Sequence, residues 1–168
     1  MKKLDKTISE VWEDKYVVPL YQRNFAWTEK EINLLLQDVY DSFKKAPDSN
    51  YYIGSLVVLR RQDGTLEVID GQQRLTTVTL LLLAISNLVK AGHVHSEEED
   101  LDDQIIQRFI IAPWAKKDDK IKLRPVREDR AALEKLFGPA DDYDRGSNMT
   151  INYQFFYDQI LKEEVTVD

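Results

Sequence analysis

Five consecutive residues, Asp70-Gly71-Gln72-Gln73-Arg74, combine side chains and backbone suited to binding phosphate. They lie between an apolar strand-like run and an apolar helical run, so N–H groups and the positive end of the helix dipole would face outward there. Arg74 offers a planar bidentate donor for phosphate oxygens, and the Asp70 carboxylate could hold Mg²⁺ or accept a proton from water. Gln72 and Gln73 could orient a water molecule or contact a base. The structural alternative makes Asp70 the helix N-cap and places both glutamines in a polar first turn.

A second segment, Pro19 to Trp27, interleaves aromatic rings with Gln22 and Arg23. Such rings can stack on a nucleobase while polar neighbours bind its edges or its phosphates. We expect Tyr21 to stack and the two polar residues to close the site formed by the first segment. The structural alternative is an ordered loop whose rings are buried in the core and whose arginine forms an ion pair.

Other catalytic and metal-binding patterns are missing from the sequence. The chain has no Cys, which excludes a disulfide scaffold, a thiolate zinc site and a cysteine nucleophile. It contains no Gly-x-Gly-x-x-Gly segment and no Walker-type loop with Lys, and its motifs do not support a Ser-His-Asp arrangement. The pair His93 and His95 lacks a carboxylate at ligand spacing and is typical of a surface turn.

Hydrophobic spacing predicts the elements that position these segments. The run from Gln72 to Lys90 is apolar nearly all round, which predicts a buried central helix that begins just after the Asp-Gly pair. Asp63-Gly64 predicts a hairpin turn between strands over 52–60 and 65–69. We therefore expect the Asp-Gly pair to connect the second strand of this hairpin with the central helix.

Two amphipathic helices are predicted outside this centre. A capping box at Thr28-Glu29-Lys30-Glu31 begins a helix that ends near Pro47. Asn148 is expected to cap a last helix, whose apolar stripe needs a partner surface. That stripe consists of Met149, Tyr153, Phe156 and Ile160. We predict an α+β core over residues 1–92, followed over 93–168 by an acidic linker and a helical extension typical of a fragment of a longer protein.

The composition is that of a soluble globular protein, with 43% hydrophobic and 32% charged residues. A length of 168 residues fits one domain, or one domain with part of a second. No apolar run is long enough to span a membrane and no signal peptide is visible, so we expect a cytoplasmic protein. Because the net charge is −7, binding of DNA would need a local basic patch or another domain.

Together, the two segments resemble the N-terminal domain of GmrSD-type, modification-dependent restriction endonucleases. The family hallmarks are a Pro-x-Tyr-Gln-Arg-x-(aromatic)-x-Trp segment, present here at Pro19 to Trp27, and an Asp-Gly-Gln-Gln-Arg segment, present here at 70–74. Tyr52 to Leu56 also resembles a strand of the family. The resemblance is strong over residues 5–92 and continues weakly through Leu123-Arg124-Pro125 and Asp129-Arg130.

The resemblance implies a ParB/sulfiredoxin-like α+β fold, with a small mixed sheet, packed helices and a helical extension. It also implies binding and hydrolysis of a nucleoside triphosphate with Mg²⁺ or another divalent cation, coupled to restriction of phage DNA with modified bases or backbone. On this reading we assign catalysis to Asp70 (also the metal ligand), Gln72, Gln73 and Arg74, and nucleotide binding to Tyr21, Gln22, Arg23, Gly71, Thr76 and Thr77.

Cleavage of DNA would belong to another part of the system. The nuclease of the family is a C-terminal His-Asn-His type domain or subunit, and this sequence has no matching motif. Sulfiredoxin-like redox chemistry is excluded because the catalytic cysteine is missing. We expect the sensor and NTPase part of an antiphage restriction system, with a nucleoside triphosphate, modified DNA, the nuclease and a second copy of the chain as partners. The alternatives are a module that binds modified DNA or nucleotide without turnover, and a ParB-like domain that nicks DNA itself.

Overall fold

The computed structural model describes residues 2–116 and 119–163, and these form an α+β fold. In chain order the elements are α1 (Ile8–Val11), β1 (Tyr16–Val17), α2 (Glu29–Lys45), β2 (Val57–Arg60), β3 (Leu66–Asp70), α3 (Gln72–Lys90), α4 (Leu101–Ile105), β4 (Leu123–Arg124), α5 (Arg127–Lys135) and α6 (Asn148–Glu163). A π-helical turn (Ile106–Ile110) continues α4, and a 3-10 turn (Ala140–Asp142) precedes α6. The predicted fold class is confirmed, and the closer likeness to ParB and sulfiredoxin stays a prediction.

The sheet has four strands in the order β2-β3-β1-β4. Strand β1 pairs in parallel with β3 and with β4, whereas β2 pairs antiparallel to β3. The predicted hairpin joins β2 to β3: Gly64 has a φ of 86°, and the Asp63 carboxylate accepts a hydrogen bond from the Thr65 N–H at 2.9 Å. The sheet is therefore mixed, and β3, inside it, leads directly into α3.

Helix α3 lies between two hydrophobic clusters and contributes to both. Leu75 and Val78 belong to the cluster on the buried face of the sheet, whereas Leu80, Leu83 and Ala84 belong to a cluster shared with α5 and α6. The prediction of a buried central helix is confirmed. Neither α3 nor any other helix within the described residues is long and apolar enough to cross a membrane.

Most of the apolar stripe of α6 is buried within the chain. Met149 and Phe156 are completely buried and Tyr153 is 2% exposed, in the cluster that α3 and α5 complete, whereas Ile160 is partly buried. The stripe therefore finds its partner surface in this chain and gives no support to a homodimer. The expected N-cap was wrong, because the Ser147 hydroxyl accepts the hydrogen bond from the Met149 N–H at 3.2 Å, whereas Asn148 is the first residue of the helix.

The cluster around α6 combines residues from both sides of position 92. Phe25 and Ile32 come from the first part of the chain, and Leu133 and Leu136 come from α5. The division into a core over 1–92 and an extension over 93–168 stays a prediction. Residues from both of these parts contribute to one hydrophobic cluster.

The strand predicted over 52–60 is shorter than expected. Only Val57–Arg60 forms a strand, and Tyr52 to Leu56, expected as a strand of the family, has no regular secondary structure. Val57 pairs with Asp70, the last residue of β3, so β3 offers no partner to the residues before Val57, and Gly54 has a φ of 128°, outside the range of an extended strand. The loop that results lies beside the beginning of α3.

Helix α2 forms as predicted but buries little of its apolar face. The predicted capping box is present, and the Glu31 carboxylate accepts hydrogen bonds from the Thr28 N–H at 2.8 Å and from the Thr28 hydroxyl at 2.6 Å. Ile32 is fully buried, whereas Tyr40 is 50% and Phe43 is 64% exposed. The second half of the helix therefore extends away from the core.

Candidate functional site

The Asp-Gly-Gln-Gln-Arg segment lies at the junction of β3 and α3, as predicted. Asp70 is the last residue of β3, and Gly71 is the N-cap of α3 with a φ of 95°. A Cβ atom on Gly71 would lie 2.8 Å from the carbonyl oxygen of Ser55, so both the conformation and the space favour glycine. No side chain caps the N-terminus of α3. The alternative in which Asp70 serves as the N-cap is therefore wrong, and the first N–H groups of a 19-residue helix have no side-chain acceptor.

Arg74 lies across the backbone of Gly54. A Cβ on Gly54 would be 2.6 Å from Nε and 2.8 Å from Cζ of the arginine, closer than atoms can pack. The guanidinium is exposed and has no ion-pair partner within residues 2–116 and 119–163. Gly54 was not predicted as a site residue, although it lies inside the Tyr52 to Leu56 segment that resembles the family.

Three glutamines join the two sequence segments. Gln22 donates from Nε2 to the Ile69 carbonyl oxygen at 3.0 Å, and Gln72 donates from Nε2 to the Arg23 carbonyl oxygen at 3.0 Å. The Oε1 atom of Gln73 accepts hydrogen bonds from the N–H groups of Ala26 at 2.9 Å and Trp27 at 3.2 Å. The segments lie side by side, and the glutamine amides bind backbone at their interface.

The loop over 18–27 is also held by the C-terminal helices. Asp129, on α5, accepts a hydrogen bond from the Phe25 N–H at 2.6 Å. Asn148 donates to the Phe25 carbonyl oxygen at 3.2 Å, and Asn152 donates to the Trp27 carbonyl oxygen at 2.7 Å, both from α6. The sequence offered a weak signal only for Asp129, in the region where the family resemblance fades, and none for the two asparagines.

The aromatic residues of this loop have different environments. Phe25 is 3% exposed and belongs to the core, and Trp27 is partly buried against the same cluster. Tyr21 is 72% exposed, and its hydroxyl donates to Glu67 on β3 at 3.2 Å. The structural alternative for the loop therefore holds for two rings, whereas Tyr21 keeps a ring face that a base could stack on.

The predicted site residues are divided between the surface and the interior. Tyr21, Arg23, Asp70 and Arg74 are exposed, and Gln22, Gly71 and Gln72 are partly buried. Gln73, Thr76 and Thr77 are buried, at 8%, 2% and 0% exposure. The Thr77 hydroxyl donates to the Gln73 carbonyl oxygen of its own helix at 2.7 Å. The first seven residues surround the junction, and the roles of all ten in binding or catalysis stay predictions.

A metal ion at this junction would depend on few protein ligands. No group of three or more His, Asp or Glu side chains that could hold a metal occurs in the described part of the chain. Mg²⁺ commonly binds one or two carboxylates and takes its remaining ligands from water and substrate phosphates. Asp70 alone at the end of β3 fits that type of site and does not fit a metal cage built by the protein.

Both sequence segments lie within the range matched by one known protein family. The family model described as "GmrSD restriction endonuclease, N-terminal domain" matches residues 4–166. The chain belongs to this family. As a GmrSD N-terminal domain it is a component of a restriction system, which connects it with DNA and with a separate nuclease domain. The GmrSD match includes both sequence segments. It also includes α5 and α6, the two helices that form hydrogen bonds with the loop over 18–27. No curated protein matches the chain.

Proposed function

We propose that the junction of β3 and α3 binds the phosphates of a nucleoside triphosphate and supports its hydrolysis within an antiphage restriction system. The observation that carries this proposal is the N-terminus of α3, which has no side-chain cap and lies next to the exposed guanidinium of Arg74. N–H groups at a helix start and an arginine fork both match phosphate oxygens. Because Arg74 is the third residue of α3, the first turn of this helix offers a phosphate both kinds of donor.

Each of the other residues has a role that its contacts suggest. Gly71 lets the backbone approach a phosphate closely, because it has no Cβ. Tyr21 offers its ring face to the base, and Arg23 offers an exposed cation beside it. Gln22 and Gln72 keep the two segments together through the hydrogen bonds to Ile69 and Arg23.

Hydrolysis would require a metal ion and an activated water. Mg²⁺ held by Asp70 and the phosphates would neutralise charge that develops during transfer. Asp70 could alternatively accept a proton from the attacking water. Either role uses an exposed carboxylate that has no hydrogen-bond partner in the described part of the chain.

Binding without turnover is the second candidate function. Gln72 Nε2 and Gln73 Oε1 already bind the backbone of the neighbouring loop, so these two atoms are engaged rather than free to orient water. This observation favours a module that binds the nucleotide without hydrolysing it. The bound nucleotide would then act by changing the conformation of the domain or its affinity for a partner.

Phosphate release from GTP, ATP, CTP and UTP with Mg²⁺ separates the two candidates. We expect turnover of at least one of them by the wild type and none by Asp70→Ala, with unchanged thermal stability because Asp70 caps no helix. Asp38→Ala, which removes an exposed carboxylate on α2, is the matched control. Nucleotide binding by a wild type that releases no phosphate would establish the second candidate, and wild-type turnover by Asp70→Ala would contradict the role of Asp70.

Isothermal titration tests the role of Arg74 in either candidate. Arg74→Ala removes a charge-assisted contact, so we expect the loss of affinity to be largest for the triphosphate and to shrink for the di- and monophosphate. Lys90→Ala, at the other end of α3 and about 25 Å away, should bind all three like the wild type. An equal loss for the three nucleotides would assign Arg74 a structural role instead.

A further inference from the structure

A second candidate binding region lies at the other end of the loop over 18–27. A cavity of about 360 Å³ is lined there by Arg61, Arg124, Arg127 and Arg130, with Pro19 and Leu20 on its wall. These four are among the nine arginines of the chain, and they come from the β2–β3 hairpin, β4 and α5. Four arginines thus line one cavity of a protein whose net charge is −7, and we name this surface the arginine groove.

Two of the four arginines are ion-paired and two are not. Arg61 contacts Glu67 at 2.9 Å, and Arg130 contacts Glu134 at 2.9 Å. Arg124 and Arg127 are exposed and have no hydrogen bond or ion pair from their side chains within the described ranges. Two guanidinium groups therefore remain available to an anionic ligand.

The position of Arg127 is unfavourable for its own helix. It is the first residue of α5, where the positive end of the helix dipole disfavours a cation. Glu128 and Asp129 in the same turn already complement the dipole, so helix stability does not explain an arginine there. A negatively charged ligand in the groove would compensate the charge of the arginine side chain.

The groove continues into a second cavity. Arg124 and Arg130 also line a neighbouring space of about 420 Å³, which includes Lys120. Its two carboxylates are both paired, Asp119 with Lys15 and Glu134 with Arg130. A basic surface that runs through two adjoining cavities suits an extended polyanion better than a single nucleotide.

We infer that the arginine groove binds the sugar-phosphate backbone of DNA, with Arg124 and Arg127 as its principal phosphate contacts. Arginine forks bind phosphate oxygens in a bidentate way, and backbone contacts of this kind position a protein on the duplex without reading its sequence. Leu20, which is 81% exposed at the groove, would lie against the DNA surface. The inference goes beyond nucleotide binding, because the groove is lined by none of the residues that we assign to the nucleotide.

The dependence of DNA affinity on salt tests this inference. Binding of the 168-residue chain to a labelled, unmodified duplex of about 20 bp would be followed by fluorescence anisotropy across a salt series. Each phosphate contact contributes about 0.9 to the slope of log affinity against log salt. We therefore expect the double variant Arg124→Gln/Arg127→Gln to reduce the slope by about 1.8 and to weaken binding at low salt.

The matched control is Lys30→Gln/Lys90→Gln, which removes two exposed cations outside the groove. It should keep the wild-type slope, and thermal melting should show that both double variants fold. Equal slopes for the two double variants, or no DNA binding by the wild type at low salt, would overturn the inference.

Nucleotide titration of the same variants separates this inference from the proposed function. The groove variant should bind nucleoside triphosphate with wild-type affinity. If it loses nucleotide affinity and keeps its DNA slope, the groove belongs to the nucleotide and the inference is wrong. A wild type that binds no nucleotide, with the expected change of the DNA slope, would contradict the proposed function alone.

Discussion

Asp129 shows how a single side chain connects the site with the rest of the chain. Burial raises the pKa of its carboxyl above the ordinary value of 3.8, the hydrogen bond from the Phe25 N–H opposes this shift, and Glu128 adds to it. The carboxylate is 6% exposed and is the acceptor that fixes the loop at Phe25. Its ionisation is thus linked to folding.

The pH dependence of stability should report this linkage. Because the pKa of Asp129 is higher in the folded than in the unfolded state, its contribution to stability is largest at low pH and declines as pH rises from 3.8 through the folded-state pKa. Asp129→Asn keeps an oxygen for the Phe25 N–H but does not ionise. We expect its free energy of unfolding to increase relative to wild type between about pH 3 and about pH 7, as measured by urea denaturation.

The control for this experiment is Asp38→Asn, which alters an exposed carboxylate on α2. Its difference from wild type should show no such rise with pH. A constant difference between Asp129→Asn and wild type across the same range would mean that the carboxyl titrates alike in both states.

At the level of residues, the sequence was sufficient to identify the two segments but not the atoms that join them. A glutamine in a helix's first turn can face a ligand or a neighbouring backbone, and the choice for Gln73 depends on where Ala26 and Trp27 lie. Asn152 is more than a hundred residues from the loop that it holds, so no local pattern could predict that contact.

At the level of elements, α2 and α6 show what an amphipathic pattern can predict. Both helices form where the spacing of their apolar residues predicts them, although the cap predicted for α6 was wrong. Three of the four stripe residues of α6 are buried, whereas the outer half of α2 is exposed. Periodicity indicates which face of a helix is apolar, but not whether another element reaches it. For the same reason, the arginine groove could not be predicted, since its residues lie on three separate elements.

Substitution of one phenylalanine in each helix tests this difference in burial. Phe156→Ala in α6 removes a completely buried ring, and we expect it to lower the free energy of unfolding by about 3–5 kcal/mol. Phe43→Ala in α2 removes a ring that is 64% exposed, and we expect a change of less than about 0.5 kcal/mol. Chemical denaturation of the two variants and the wild type gives both values.

Similar losses for the two substitutions would mean that the exposed half of α2 is covered in solution. Light scattering of the wild type and of Phe43→Ala would then show whether a second copy of the chain provides the cover.

At the level of the whole molecule, the charge of the chain changes at position 92, but the hydrophobic core does not divide there. The hydrophobic cluster shared by α3, α5 and α6 crosses position 92, although basic and acidic residues balance before that position and acidic residues dominate after it. A change of composition along a chain therefore need not indicate a boundary in its core. The arginine groove combines cations from both parts, Arg61 from the first and the others from the second.

The chain should not cut DNA by itself. It carries no His-Asn-His type motif, and no cluster of three or more metal-binding side chains occurs in its described part. We expect phage DNA, modified or unmodified, to remain intact with the chain, Mg²⁺ and a nucleoside triphosphate, as judged by gel electrophoresis. A nuclease of known activity on the same DNA serves as the positive control.

Cleavage that Asp70→Ala abolishes would contradict this expectation and would establish direct nicking by the domain. Cleavage that persists in this variant would point to a contaminating nuclease, and a second purification would settle its source.

The loop over 18–27 has a property that its lack of regular structure conceals. The N–H groups of Phe25, Ala26 and Trp27 all donate to side-chain oxygens of α3 or α5. Because elements distant in the chain accept these hydrogen bonds, we expect hydrogen–deuterium exchange of the three amides to follow the opening of those helices and not of the adjacent residues. Exchange at these three amides therefore reports whether the loop is still packed against α3 and α5.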